Sequence, residues 1–283
     1  MIKNILVALD GSEQAEHSIP WAQAIAPSAS LTLLQVVEPL DPTTLFVGGS
    51  NERNLESAAA YLKRVSERLS PRSEYVVRLG SAATGILDVA GETSADLIAV
   101  TTQGGAALER RVFGRTTEKL IHHSEIPLLV VPAWGDPPRS RRLERILVPV
   151  DGSEVSTAVI PLARWIARET DSVAILTHIV TASGKGEYAL VDVERRIRDI
   201  ASRIEPAAVL AKTVIRPGRV PDDILATARK EGADLIVMAA HGYGAVKRML
   251  LGSVASRLIR ETSVPVVIAK LGALQKLAEG SRI

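Results

Sequence analysis

Short, mostly continuous apolar runs rich in Val, Ile and Leu occur at 5–9, 31–37, 75–78, 97–101 and 128–131. They return at 146–150, 173–180, 212–216, 235–239 and 265–269. Runs of this kind predict strands buried on both faces. Between them the apolar residues fall at helical spacing, predicting helices over 14–27, 52–70, 82–93 and 115–124, then 155–169, 187–204, 221–231 and 253–262. Strand and helix alternate throughout, which predicts parallel sheets covered by helices on both faces. Ligands of such sheets bind beyond the carboxyl ends of the strands, where the strand order reverses. Candidate chemistry is therefore sought after the first, second and fourth strands of each set.

The two sets are copies. Ile5-Leu-Val-Ala-Leu-Asp-Gly-Ser-Glu13 returns as Ile146-Leu-Val-Pro-Val-Asp-Gly-Ser-Glu154, 141 positions on, and Pro20 returns as Pro161. Ala95-Asp-Leu-Ile98 returns as Ala233-Asp-Leu-Ile236 at an offset of 138, as do Ile86-Leu87, Gly104, Gly114 and Pro127. The change of offset places about three extra residues in the first copy, within the loop-like stretch 41–50. A period of this length is a duplicated domain. The Pro-Pro stretch around 137–138 lacks apolar periodicity and reads as the joint. The expected organisation is a first domain over 1–133, a linker over 134–143, and a second domain over 144–283 with a short C-terminal extension.

Two motifs carry candidate chemistry. After the fourth strand of the second copy, Ala239 precedes His241, Gly242, Gly244, Gly252 and Ser253. Glycine lets main-chain N–H groups approach phosphate oxygens, and a helix opening at Ser253 offers an anion site. The same residues also suit a plain turn and an N-cap. After each first strand comes Asp-Gly-Ser-Glu, at Asp10 and Asp151. One reading is an Asp N-cap with a capping-box Glu. The other is an acceptor carboxylate for an adenine amino group.

Together these features resemble the universal stress protein family, in its tandem two-domain form, over nearly the whole chain. The family's ATP-binding motif is Gly, two residues, Gly, nine residues, Gly, then Ser or Thr. Gly242, Gly252 and Ser253 match it, with Ala239 in place of the leading glycine. The resemblance implies base contacts from Asp151 and Ile179. In the first copy the corresponding residues are Asp10, Val36, Thr101, Gly104, Gly114 and Arg115, with Thr116 one step later. Thr101 and Arg115 depart from the motif, so the first copy is expected to bind nucleotide weakly or differently. The resemblance also implies an α/β fold of two five-stranded parallel sheets in strand order 3-2-1-4-5. The nucleotide would lie between strands 1 and 4, and the fifth strands would pair within the chain as a pseudo-dimer. Whether two chains then form a homodimer is left open.

Composition narrows the function. Lys and Arg number 34 against 32 Asp and Glu, and aromatics make up 3%, so neither a basic stripe nor a base-stacking platform for nucleic acid is expected. The absence of cysteine excludes disulfides and thiolate chemistry. No apolar stretch reaches the length of a membrane span and no leader is evident, so a cytoplasmic protein with no membrane partner is expected. The five histidines show no metal-ligand spacing. Lys185 lacks the upstream glycine of a Walker loop. The expected function is a stress-response sensor or regulator that binds an adenine nucleotide, ATP foremost. Mg²⁺ would be held by the phosphates and hydrolysis would be slow at most. ADP, AMP and a cyclic nucleotide are not distinguished by sequence. The alternatives are a nucleotide-free interaction module of the same fold and an adenine-nucleotide-dependent enzyme of a related fold.

Overall fold

The computed structural model describes residues 1–41, 50–69, 73–102, 114–134, 143–180, 210–241 and 251–279, with 195, 197 and 199. In the first half the order is β1 (Asn4–Leu9), α1 (Glu13–Glu16), α2 (Ser18–Ile25), β2 (Ser30–Val37), α3 (Asn51–Glu67), β3 (Ser73–Leu79), α4 (Ala82–Glu92), β4 (Leu97–Thr101), α5 (Arg115–His123) and β5 (Leu128–Val131). The second half has β6 (Arg145–Pro149), α6 (Glu154–Thr157), α7 (Ile160–Thr170), β7 (Val173–Val180), β8 (Leu210–Pro217), α8 (Val220–Glu231), β9 (Leu235–Ala239), α9 (Ser253–Glu261), β10 (Val266–Ala269) and α10 (Leu271–Glu279). Most of the expected loop 41–50, helix 187–204 and linker 134–143 lies outside the described residues.

The strands form one ten-stranded sheet in the order β3-β2-β1-β4-β5-β10-β9-β6-β7-β8. Each half has the expected 3-2-1-4-5 order with parallel neighbours. The halves meet where β5 and β10 pair antiparallel, with Val266 opposite Val130 and Ile268 opposite Leu128. Leu129, Val130, Val266 and Val267 are fully buried there. Burying each such side chain stabilises by about 1.5–3 kcal/mol. Along both strands alternate side chains enter opposite cores. Leu129 and Val267 join one, which holds Trp21 and Ile166. Val130 and Val266 join the other, which holds Ile98 and Ile236. Each core therefore runs unbroken from one half into the other.

Each expected first helix is split in two. Proline has no N–H and its ring crowds the carbonyl four residues earlier. For Pro20 that carbonyl belongs to Glu16, the last residue of α1, and for Pro161 it belongs to Thr157, the last residue of α6. The repeated prolines thus end both short helices and fall in the first turns of α2 and α7, where proline is tolerated.

The repeated Ala-Asp-Leu-Ile motif is structural. Asp96 Oδ2 accepts the main-chain N–H of Lys3 at 2.7 Å and of Asn4 at 3.1 Å. Asp234 Oδ2 does the same for Glu144 at 2.8 Å and Arg145 at 2.9 Å. Each carboxylate pins the start of its half's first strand beside the fourth. Hydrogen bonds to a charged acceptor contribute about 1.5–3 kcal/mol. Asp234→Ala is expected to lower stability in urea denaturation by about 2 kcal/mol, and Asp234→Asn, which keeps an acceptor, by less.

Helix α10 is an addition to the sequence expectation, which left this stretch as an unassigned extension. Ala273 and Leu274 are buried, and Lys276 pairs with Glu125 of the first half at 2.5 Å. Lys270, just before the helix, donates to the carbonyl of His122 at 2.5 Å. Helix α10 is thereby fastened across the junction.

Candidate functional site

Parallel strands β6 and β9 lie side by side and diverge in connection at their carboxyl ends: one continues to α6, the other to the segment before α9. A cavity of about 320 Å³ opens there. Its wall includes Asp151, Ile179, Ala239, Gly252 and Ser253, so five of the six residues singled out in the second copy converge from four separate stretches of chain. The sixth, Gly242, lies outside the described residues, as does Gly104 in the first copy.

The Asp-Gly-Ser turn differs from the capping-box reading. The N-caps are Ser12 and Ser153, whose hydroxyls accept the N–H of Ala15 at 3.2 Å and of Ser156 at 3.1 Å. Asp10 and Asp151 stand before the helix. Each accepts the N–H of its own turn's serine, at 3.0 Å and 2.9 Å. Gly11 and Gly152 have φ of +87° and +82°, a region costly for residues with a side chain. That turn leaves Asp151 exposed at the cavity's edge instead of consumed by the helix. Ser153→Ala should cost about 1 kcal/mol in thermal or chemical denaturation, as loss of a cap does, while leaving the carboxylate in place.

The other side of the cavity is built by α9. Its N-cap is Gly252, with no side-chain capping bond, and Ser253 is the first helical residue. The serine hydroxyl is exposed and is not used as a cap, contrary to the capping alternative. Gly252 N–H donates to the Ala240 carbonyl at 3.0 Å, and an added Cβ would stand 3.1 Å from that same oxygen. Its φ of −60° suits any residue, so close approach and not backbone conformation is what favours glycine here. The unpaired N–H groups of the first turn of α9 face this end, and the helix dipole favours an anion there.

Sequence reasoning did not single out Ser156, Thr177, Ile224 and Met238, which also form the wall. Ile224 stood in the repeated Ile-Leu pair and could have been found from it. The others carry no motif. His241, at the mouth, is held below its usual pKa by burial, helped by the charges of Lys270 and His122. Burial likewise lowers Lys270, partly offset by Glu125. His178, beside Ile179 but on the opposite strand face, donates Nδ1–H to the Val150 carbonyl at 2.8 Å and so braces the end of β6.

In the first half Gly114 is again the N-cap, and its N–H donates to the Thr102 carbonyl at 2.8 Å. Arg115 takes the place of Ser253 and is exposed; Thr116 is half-buried. Thr101 is buried and its carbonyl accepts the hydroxyl of Thr117 at 2.8 Å. The residue matching Thr117 is Ala255, which lines the second cavity. Val36 lies against α4, where a Cβ on Gly85 would come within 3.1 Å of it. The glycine framework is thus shared, but the inner surface differs at Thr101, Arg115, Thr117 and Val36.

The model of the universal stress protein family matches this chain twice, over residues 1–132 and 142–270. The chain belongs to the universal stress protein family. Relatives of about this length match along nearly all of it. A universal stress protein of Mycolicibacterium smegmatis is 26% identical over 309 residues, covering 94% of this chain and 96% of its own. One of Mycobacterium tuberculosis is 24% identical over 295 residues with the same coverage. The crystal structure of a universal stress protein from Archaeoglobus fulgidus superposes with a TM-score of 0.75 at 19% identity, covering 95% of this chain and 98% of that one, and so shares the fold. In this universal stress protein no cluster of three or more His, Cys, Asp or Glu residues that could hold a metal occurs among the described residues. No described helix is long and apolar enough to cross a membrane.

Proposed function

We propose that this universal stress protein is an adenine-nucleotide-binding regulator of the cytoplasm, with ATP held chiefly in the second half. The observation that carries this reading is the convergence of Asp151, Ile179, Ala239, Gly252 and Ser253 on one cavity. Its volume lies near the lower end of the usual small-molecule range of about 300–1,000 Å³. Asp151 accepts from the adenine amino group, Ile179 and Met238 cover the base, and Ser253 with the first N–H groups of α9 holds the phosphates. Mg²⁺ would be held chiefly by the phosphates and would neutralise their charge, with the Ser253 hydroxyl on the same cavity wall. The domain limits follow as 1–133 and 144–283 around the linker. Partners other than nucleotide are not required by this reading.

The first half, with Arg115 and Thr101 at its phosphate positions, contributes weakly. Because the two cores are continuous, the full chain is the object to test. Mass spectrometry of small molecules released from the denatured protein is expected to show an adenine nucleotide. Isothermal titration of nucleotide-free protein is expected to give one dominant site, weakened by Ser253→Arg far more than by Arg115→Ser. Release of no nucleotide, together with no heat on titration, would refute the proposal.

Its pH dependence has a defined sign. A His whose folded pKa is lowered is neutral near pH 7; it supports the folded state above its unfolded pKa and loses that support as pH falls through the folded value. An anion bound beside His241 favours the charged ring and raises its pKa. Nucleotide binding should therefore take up a proton and tighten as pH falls through the titration of this ring. His241→Ala should flatten this dependence relative to the parent protein, a comparison in which the nucleotide's own titration cancels.

A further inference from the structure

Duplication has placed the third strand of each half at an outer edge of the ten-stranded sheet, and the two edges are not alike. Open edges expose main-chain donors and acceptors, and proteins blunt them with bulges, prolines or charges. Strand β8 is blunted: its register with β7 slips between Ala174 and Ile175, and Pro217 removes a donor at its end. Strand β3 pairs with β2 over seven consecutive residues with no slip and contains no proline. Its start is held on α3 by Ser66, whose hydroxyl donates to the Ser73 carbonyl at 3.2 Å. It also carries two of the three exposed large apolar side chains of the described residues, Tyr75 at 41% and Leu79 at 43%.

The sequence of this edge is complementary to itself. Antiparallel pairing about Val76 sets Ser73 opposite Leu79, Glu74 opposite Arg78 and Tyr75 opposite Val77, each twice. Strand alternation then sorts the side chains. Glu74, Val76 and Arg78 share one face, so the Glu–Arg contacts flank a central Val–Val contact. Tyr75, Val77 and Leu79 share the other, so the exposed apolar groups of two copies form one covered strip. Glu74 has no ion-pair partner among the described residues. Arg78 pairs with Glu92 at the surface, and its guanidinium has five donors, enough for a second carboxylate.

We infer that β3 is a self-association edge: two copies of this chain join β3 to β3, antiparallel about Val76, extending the sheet across the interface. Register is set by the reciprocal Glu74–Arg78 contacts, and burial of Tyr75 and Leu79 supplies the apolar part. This interface is separate from the β5–β10 junction and from the nucleotide cavity, and does not depend on the functional reading above.

Sedimentation velocity of the full chain over a concentration series tests it. The parent protein is expected to move to twice the chain mass at micromolar to high-micromolar concentration. Glu74→Arg and Arg78→Glu, alone, place like charges face to face at both contacts and should each weaken association about tenfold or more. An equimolar mixture of the two variants restores opposite charges at both contacts and should form heterodimers at the parent's concentration. That rescue also shows that each variant is folded. A parent protein that stays monomeric throughout overturns the inference. So does a dimer indifferent to both variants, or a mixture that fails to recover.

Discussion

Gly252→Val is expected to weaken nucleotide binding by about a hundredfold or more, equivalent to about 2.7 kcal/mol. The main-chain angles at Gly252 are open to valine, so the loss is one of space. A Cβ there meets the Ala240 carbonyl at 3.1 Å, and that oxygen already accepts the Gly252 N–H. The atom it meets is main chain, which yields less than a side chain, and two γ-methyls add bulk at the end of the cavity where the phosphates are proposed to lie. Equilibrium titration of the full chain measures the effect, with the melting temperature as a check that the fold survives. Gly114→Val, the counterpart in the first half, should change the titration little. If Gly252→Val binds as the parent does, or if Gly114→Val is the variant that abolishes binding, the assignment of the main site to the second half is wrong.

The second large effect is at the junction of the halves. Val267→Asp places a carboxylate at a fully buried position of β10, paired with β5 through Leu129. An uncompensated buried charge is among the few single changes that cost more than about 4 kcal/mol. Because both cores cross this strand pair, the expected result is loss of the whole chain's stability in one cooperative transition. Urea denaturation followed by tryptophan fluorescence reports both halves, since buried Trp21 lies in the first and half-buried Trp165 in the second. Val267→Ala, which removes volume without adding charge, should cost about 2 kcal/mol in the same measurement. Two separate transitions, one of them unmoved by Val267→Asp, would show that the halves fold independently.

Much of this architecture is legible in the chain because it is written locally. The strand runs are apolar without alternation, as burial on both faces requires, and the doubled Asp-Gly-Ser and Ala-Asp-Leu-Ile segments mark equivalent turns. The positions of Ala239, Gly252 and Ser253 relative to a strand and a helix followed from spacing along one segment. Other features depend on what lies across space. Ser156, Thr177 and Met238 line the cavity only because β6, β7 and β9 are neighbours in the sheet, and nothing near them in sequence marks them. The split of the first helices was present in Pro20 and Pro161 but was outweighed by the helical spacing around them. The role of Asp10 and Asp151 turns on which of the two residues flanking a shared glycine, Asp or Ser, takes the cap. The serine wins because glycine's left-handed conformation folds the chain between them. Helix α10 has too short an apolar face to mark itself in the sequence, and its buried Leu274 finds its place in a core drawn from both halves.

Joining β5 to β10 within one chain has a consequence for how the two copies can change. In an assembly of two identical chains, every substitution is made twice and must suit both partners of a symmetric contact. Here the tether keeps the partner at hand whatever its sequence, since a linked partner acts at high effective concentration. A residue can therefore alter in one copy alone. The arginine at 115 where the other copy has a serine at 253, and the threonine at 117 where it has an alanine at 255, are the marks of that freedom. The covalent link thus lets the two copies diverge one at a time, a freedom that a symmetric pair of separate chains lacks.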